Sequence, residues 1–562
     1  MCSSDLIAIQ ISKLRFFISL VIDQKRNNNP ADNFGIRPLP NLEAKFVAAN
    51  SLLGLKRTEA SLFDSEEIKQ KERQLKIAKH KIFSARRPTT KEKWRNEVVR
   101  LRKEIADLLL EKDCIGNEQA AQLAQWDMFD QNTFAPFFDP EWMFGIKEGF
   151  DILIANPPYI STKGVSTADK KLFEAEFGFS DDTYNLFFFK GFSLLCEGGC
   201  ITYITPKTFW TTQTKRNLRD LLLANTLNYV FDTANPFEAV MVDTCITSAV
   251  KNKPAAENLV RFMDGRKSLL QPERLTVAQS VYLNTQNSVI FKPSELNMRI
   301  YELYGEKVKA LYDKWWDKIK TSREIEKNKR ELEEYRASLK PGDVALLGCL
   351  TEGGQGLATA NNGKYIAVRS TTKWAENIRV SRPKKLADFL ARTPKAITAE
   401  MRRYPSYVAF LQSLSEAEIA ELFDSLKEQY GRDIFGQGYL YKIVDDCEIA
   451  DVDSLTNDEK ENGIETTKPY YVPYDKGDKD GNRWYLETPF AIAWSKENVR
   501  FLKTDPKARY QGYTFYFREG FCWIDVNSTY LKARIKANGV FDVLSMSLFT
   551  MTPPSLIGTL LR

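Results

Sequence analysis

The chain has 562 residues, of which 43% are hydrophobic, 12% aromatic and 27% charged, with a net charge of +6. That length is ample for a full hydrophobic core spread over about three to four domains. The mild basic excess is compatible with a polyanionic partner without establishing one. Eight cysteines are scattered without a CxxC pair and the single histidine is His80, so neither a zinc site nor disulfides are expected, and a reducing, cytoplasmic setting is.

Residues 7–22, IAIQISKLRFFISLVI, place apolar side chains at helical spacing interrupted by Gln10, Lys13 and Arg15. The pattern predicts an amphipathic helix packed on a sheet, neither a signal peptide nor a membrane span. After a polar loop, residues 45–50 read as a short strand ending at Asn50; alternatively, Asn50-Ser51 only caps a turn. Residues 57–113 interrupt the sheet pattern. Val98, Leu101, Ile105 and Leu108 follow a three-four spacing, and Ile68, Leu75, Ala78 and Ile82 form a looser stripe. A helical hairpin is expected, broken at residues 86–90 with Thr90 as N-cap. Its Lys- and Arg-rich outer faces read as solvated surface, with DNA-backbone contact as the sharper alternative. The aromatic stretch 126–150 reads as a packed loop returning the chain to the sheet.

The short run 152–155 (Ile-Leu-Ile-Ala) reads as a buried strand, and it is stopped by Asn156-Pro157-Pro158-Tyr159. Two prolines fix φ and donate no hydrogen bonds, so Asn156 and Tyr159 leave the strand at defined positions. The carboxyl end of a strand is where an open α/β sheet places its ligands. An amide and an aromatic ring held there suit a planar heteroaromatic amine. Residues 161–180 read as a polar loop with Gly164 and Gly178 as flex points, either able to close over a ligand at the strand end or an ordinary surface loop. A helix over 182–195, a Gly198-Gly199 turn and a strand over 200–205 follow, then a helix over 215–224 and strands at 229–231 and 244–250. This succession predicts the αβ units of a doubly wound sheet.

Residues 298–338 form a long helical stretch closed by Lys340-Pro341-Gly342-Asp343, the clearest domain boundary. Domains are therefore expected at 1–297 and 340–562, with 298–339 as a connector. Beyond it come a glycine-rich loop over 352–365, a strand at 366–368 and a helix over 416–430. Aromatic strands and turns follow at 470–474, 479–482, 484–486 and 513–518.

The motif Asn156-Pro157-Pro158-Tyr159, and the order of elements after it, resemble the N6-adenine DNA methyltransferases. Within them the chain resembles the group combining restriction and modification, or acting in phage exclusion. The resemblance runs over most of 7–562. It implies an α/β, partial Rossmann-like methyltransferase domain with an inserted helical hairpin, plus a C-terminal α+β target-recognition domain. It further implies methyl transfer from S-adenosylmethionine to adenine N6 in double-stranded DNA, within a defence system. Asn156, Pro157, Pro158 and Tyr159 would be catalytic. Asn156 and the Pro157 carbonyl would accept the amine's hydrogens, and Tyr159 would stack on the base. Asn50, where the family commonly has Asp, would assist, and Phe237, or failing it Phe231, would close the other side.

The family's glycine-rich cofactor turn and acidic residue precede the point where the resemblance begins, and MCSSDL does not match them; the acidic position aligns with Ser3. The chain is therefore expected to be a fragment or one piece of a split gene, partnered by a missing N-terminal half or other defence-system subunits. The alternatives are a non-catalytic DNA-recognition subunit, a protein-glutamine or RNA methyltransferase, and a permuted enzyme using Gly353-Gly354-Gln355-Gly356.

Overall fold

The structure is a computed structural model describing residues 6–37, 46–55, 66–85, 87–112, 114–126, 134–237, 242–320, 325–431, 433–436, 441–477, 488–524, 533–536 and 538–551. The chain divides into two compact units, Met1–Asp313 and Lys314–Arg562. That division falls inside a helix, α10 (Glu295–Lys320).

The first unit is built on six strands: β1 (Phe150–Ala155), β2 (Leu195–Pro206), β3 (Thr226–Ala234), β4 (Thr244–Val250), β5 (Leu259–Asp264) and β6 (Glu273–Ala278), in the order β1-β2-β4-β3-β5-β6. β1 runs parallel to β2 and β3 parallel to β5, whereas β4 and β6 are antiparallel to their neighbours. Four strands thus share one direction, the mixed α/β sheet that the resemblance implies. Helices α7 (Thr183–Leu194) and α8 (Arg216–Ala224) feed apolar side chains into its core, where Phe188, Phe209 and Phe262 are buried. Gly191 lets α7 approach the sheet closely: a Cβ there would lie 2.5 Å from Ile201 and 2.7 Å from the Tyr203 hydroxyl.

A second core joins α2 (Glu66–Ser84), α3 (Pro88–Glu111), α4 (Asn117–Gln125) and α5 (Pro140–Phe144). The two sequence stripes meet there: Ile68, Leu75, Ala78 and Ile82 are buried with Val98, Leu101 and Ile105. α3 starts earlier than expected. Pro88 occupies its first turn and Arg87 is the cap residue, leaving Thr90 inside the helix; a fixed φ favours proline at that position.

Other expectations are corrected. The strand over 45–50 is reduced to a single bridge, Ala49 to Ala135, within its described part. The polar loop 161–180 contains α6 (Thr167–Phe177), capped by Ser166, which accepts from the Asp169 amide, and ended by Gly178 at φ 79°. The Ser-x-x-Asp cap and the left-handed glycine are helix signals that the polarity of the stretch obscured. Gly198 and Gly199 lie within β2. Helix α1 (Leu6–Ile22) buries Ile9, but Ile7, Leu14, Phe16 and Ile22 stay exposed, so among the described residues no sheet lies beneath most of its apolar surface.

The second unit holds two further sheets. One has five strands, including β8 (Ile366–Arg369), β10 (Tyr471–Asp475) and β11 (Phe490–Ala493); the other has four, including β7 (Thr351–Gly354), β12 (Gly520–Ile524), β13 (Arg534–Lys536) and β15 (Ser545–Thr550). Trp494, Tyr474, Phe541 and Phe549 fill the core. The expected helix appears at Glu416–Tyr430 with a Ser415 capping box. Residues 513–515 form a short 3-10 turn where a strand was expected, and the expected turn at 479–482 and strand at 484–486 lie outside the described residues. Gly353 and Gly354 pair with β15, and a Cβ on Gly356 would overlap the Phe541 carbonyl. These glycines serve close strand packing. A strand-to-helix phosphate turn is absent there, which overturns the permuted reading. Among the described residues no helix is long and apolar enough to cross a membrane.

Candidate active site

β1 lies at the edge of its sheet, with Ile154 opposite Thr202 and Ala155 opposite Tyr203 of β2. Along its other edge no strand pairs with it among the described residues. Ile152 and Ile154 are 64% and 78% exposed, unusual for an apolar strand in an α/β sheet. The strand expected to be buried is therefore open on one flank.

Asn156 follows β1 directly and is exposed, and its amide makes no hydrogen bond among the described residues. It faces a cavity of about 750 Å³, whose walls include Phe16, Phe46, Leu153, Pro157, Lys190 and Tyr203. Lys190 is held by Glu176 at 2.7 Å. Tyr159 is not on that wall. Its hydroxyl donates to the Ile204 carbonyl of β2 at 3.1 Å, and burial, with Cys245 nearby, pushes its pKa up to about 12.

The loop carrying these residues is tied to the start of α7. Thr183 Oγ1 donates to the Pro158 carbonyl at 2.5 Å and accepts from the Ile160 amide at 3.1 Å. The Thr183 amide donates back to the Ile160 carbonyl at 3.0 Å. One residue further out, Asp182 Oδ1 accepts from both the amide (2.8 Å) and hydroxyl (3.0 Å) of Thr162. Lys215, buried, pairs with Asp181 and with Asp182. Burial alone would raise the Asp182 carboxyl, but its bonds from Lys215 and Thr162 outweigh this and hold it below the usual carboxylate range. Composition and motif reading passed over Thr183, Asp182 and Lys215; Asp182-Thr183 registered only as the opening of a helix.

Asn50 and Phe237 are placed apart from this arrangement. Asn50 Oδ1 accepts from the Leu52 amide at 3.2 Å, so it caps a turn, the plainer of the two readings offered for it. Phe237 is part-exposed beyond β3, with its amide donating to Asn235 Oδ1, and Phe231 lies within β3. Neither Asn50 nor Phe237 lines the cavity beside Asn156.

Whether the described residues hold S-adenosylmethionine is tested by the cavity's chemistry. Its apolar walls suit a flat ring, but no carboxylate lines it to bind ribose hydroxyls. Among the described residues no glycine-rich strand-to-helix turn flanks it either. The cavity's apolar walls thus suit a flat ring and, among the described residues, do not complete a cofactor site.

Comparison with known proteins agrees with the motif. Residues 2–237 match the family model described as Eco57I restriction-modification methylase. A protein of Methanocaldococcus jannaschii, named as a type II restriction enzyme and methyltransferase, is 29% identical over 116 residues, covering 20% of this chain. The chain spans about a tenth of that relative's length. Among solved structures, the type IIL restriction-modification enzyme MmeI in complex with DNA aligns over 88% of this chain and 62% of its own, at 12% identity and a TM-score of 0.36. The DrdV–DNA complex aligns over 71% and 36%, at 12% identity and a TM-score of 0.30. The match over residues 2–237 bears out the resemblance, first read at Asn156-Pro157-Pro158-Tyr159, to the DNA methyltransferases of restriction–modification type.

Proposed function

We propose that this chain carries the target-base half of a site-specific adenine-N6 DNA methyltransferase, acting in a cytoplasmic restriction–modification or phage-defence system with S-adenosylmethionine as methyl donor. The observation that carries the reading is the amide of Asn156, without a hydrogen-bond partner among the described residues, at the carboxyl end of β1 and facing a cavity with apolar walls. Adenine N6 is a poor nucleophile because its lone pair is delocalised into the ring. A base flipped out of the duplex would give its amine hydrogens to Asn156 Oδ1 and the Pro157 carbonyl, drawing the lone pair back onto nitrogen. The two prolines keep these acceptors in place without competing donors. Tyr159, with its hydroxyl tied to β2 and its ring outside the cavity's walls, is retained as the base-stacking candidate that the motif resemblance implies. Asn50 and Phe237 are retained as base-binding candidates only if their segments move on DNA binding.

The methyl donor requires a further part. The edge of β1 that no strand pairs with among the described residues, its exposed isoleucines and the exposed apolar side chains of α1 support assembly with a further cofactor-binding part. The 340–562 module, with its strands and aromatic residues, is proposed to read the DNA sequence. The lack of a carboxylate on the cavity wall favours one second reading, a DNA-recognition subunit that binds no cofactor. Labelled S-adenosylmethionine binding separates the two: under the main reading it appears with the complete assembly and is weak with this chain alone.

The decisive experiment is Asn156→Ala in the methylating assembly. DNA affinity should stay within about twofold, while methyl transfer falls by at least about 10². Near-normal methylation by Asn156→Ala would overturn the assignment.

A further inference from the structure

We infer that Thr183, backed by the Asp182–Lys215 pair, is a positioning residue that sets the orientation of Tyr159 in the catalytic loop. This rests on the methyltransferase reading only for its consequence on rate; the clamp itself stands on the geometry. One buried hydroxyl, 4% exposed, spans the backbone on both sides of Tyr159: it donates to the Pro158 carbonyl and accepts from the Ile160 amide. The Thr183 amide then closes a reciprocal bond with the Ile160 carbonyl. With the phenol hydroxyl anchored on Ile204, Tyr159 is held at its two peptide neighbours and at its ring tip.

The clamp has its own support. Asp182 holds Thr162 two residues beyond Ile160, and the buried Lys215 bridges Asp182 and Asp181 through ion pairs to both. Asn185, fully buried, adds a bond from its side-chain amide to Asp181. A chain whose prolines already restrict φ at 157 and 158 needs an anchor just after them to fix the ring, and the N-terminus of α7 supplies it. The hydroxyl is essential to this role, since it is donor and acceptor at once; an isosteric methyl is neither.

The test compares Thr183→Val with Thr183→Ser. In the full chain, Thr183→Val should leave the unfolding midpoint within a few degrees and speed backbone hydrogen exchange across 158–163 by at least about tenfold, while Thr183→Ser behaves as wild type. In the methylating assembly, Thr183→Val should lower kcat by about 10² with KM for DNA within about twofold, and Thr183→Ser should restore it. If Thr183→Val does not fold, Lys215→Met against Lys215→Arg replaces the pair, with faster exchange at Thr162 expected for Met alone. Wild-type exchange and wild-type kcat in the disabled variant would overturn the inference. If the wild-type assembly transfers no methyl to DNA while exchange responds as described, the methyltransferase reading falls and the clamp stands.

Discussion

Tyr159 shows how far single residues were legible. The sequence marks it as an aromatic ring at a strand end; the structure adds that its hydroxyl is spent on the Ile204 carbonyl and its ionisation is displaced to about 12. The hydroxyl is therefore structural, and under the proposed function only the ring is left to meet a base. Tyr159→Phe should cost the chain about 0.5–1.5 kcal/mol, the net value of one hydrogen bond, and leave kcat within about tenfold. Tyr159→Ala, which removes the ring, should cost far more rate at equal DNA affinity. Single-turnover methylation alongside thermal unfolding reads both. Asn156 was equally legible because Asn-Pro-Pro-Tyr is local. Thr183 was not, since its two partners on the loop lie 25 and 23 residues away. Asn50 illustrates the converse: an amide at a strand end suits a base and a turn equally, and here its oxygen is engaged by Leu52.

At the scale of elements, β1 is the informative one. Its apolar run predicts burial on both faces, yet Ile154 stands 78% exposed on an edge without a neighbour among the described residues. If that edge is a docking site, Ile154→Lys should leave the stability of this chain within about 0.5 kcal/mol, as for an ordinary surface substitution. The same change should abolish assembly with the cofactor-binding part, measured by co-purification and by recovery of methylation. A large loss of stability in the isolated chain would mean the edge is already covered. The hairpin α2–α3 was readable because its stripes keep helical spacing over about four turns in α2 and about three in α3. Helix α6 was missed because its sequence is polar and its stability comes from caps, Ser166 at one end and Gly178 at the other.

At the scale of the whole molecule, two units carry separate cores, and the second contains a buried ionisable cluster that composition could not reveal. Asp475 accepts from Arg534 at 2.6 Å, with both side chains buried, and Lys536 lies buried on the same strand as Arg534. Burial pulls Lys536 down from 10.5 to about 8, against opposing contributions from Asp475 and Cys522. Its folded pKa lies below its unfolded one, so the unfolded chain binds the extra proton between about pH 8 and 10.5. Stability from this group therefore rises with pH across that window, by up to about 1.4 kcal/mol per unit, and is flat below pH 8. Buried tyrosines and Cys522 act in the opposite sense at high pH, because their protonated forms are favoured in the fold. Denaturant unfolding of wild type against Lys536→Met between pH 7 and 10.5 cancels those contributions. Wild type should gain on the variant as pH rises, and a constant difference would exclude a lysine displaced by burial.

The sequence by itself determined the Asn-Pro-Pro-Tyr tetrapeptide at a strand end, the alternation of helices and strands after it, the helical hairpin and the change of texture near residue 340. All of these depend on local chemistry: proline's fixed φ, helical and strand periodicities, and glycine at chain reversals. Only the tertiary structure decided which strand edge is open and which amide is free among the described residues, and which helix end clamps the loop. Those properties belong to pairs of residues far apart in the chain. Hydrogen bonds and burial select among partners that no local pattern names.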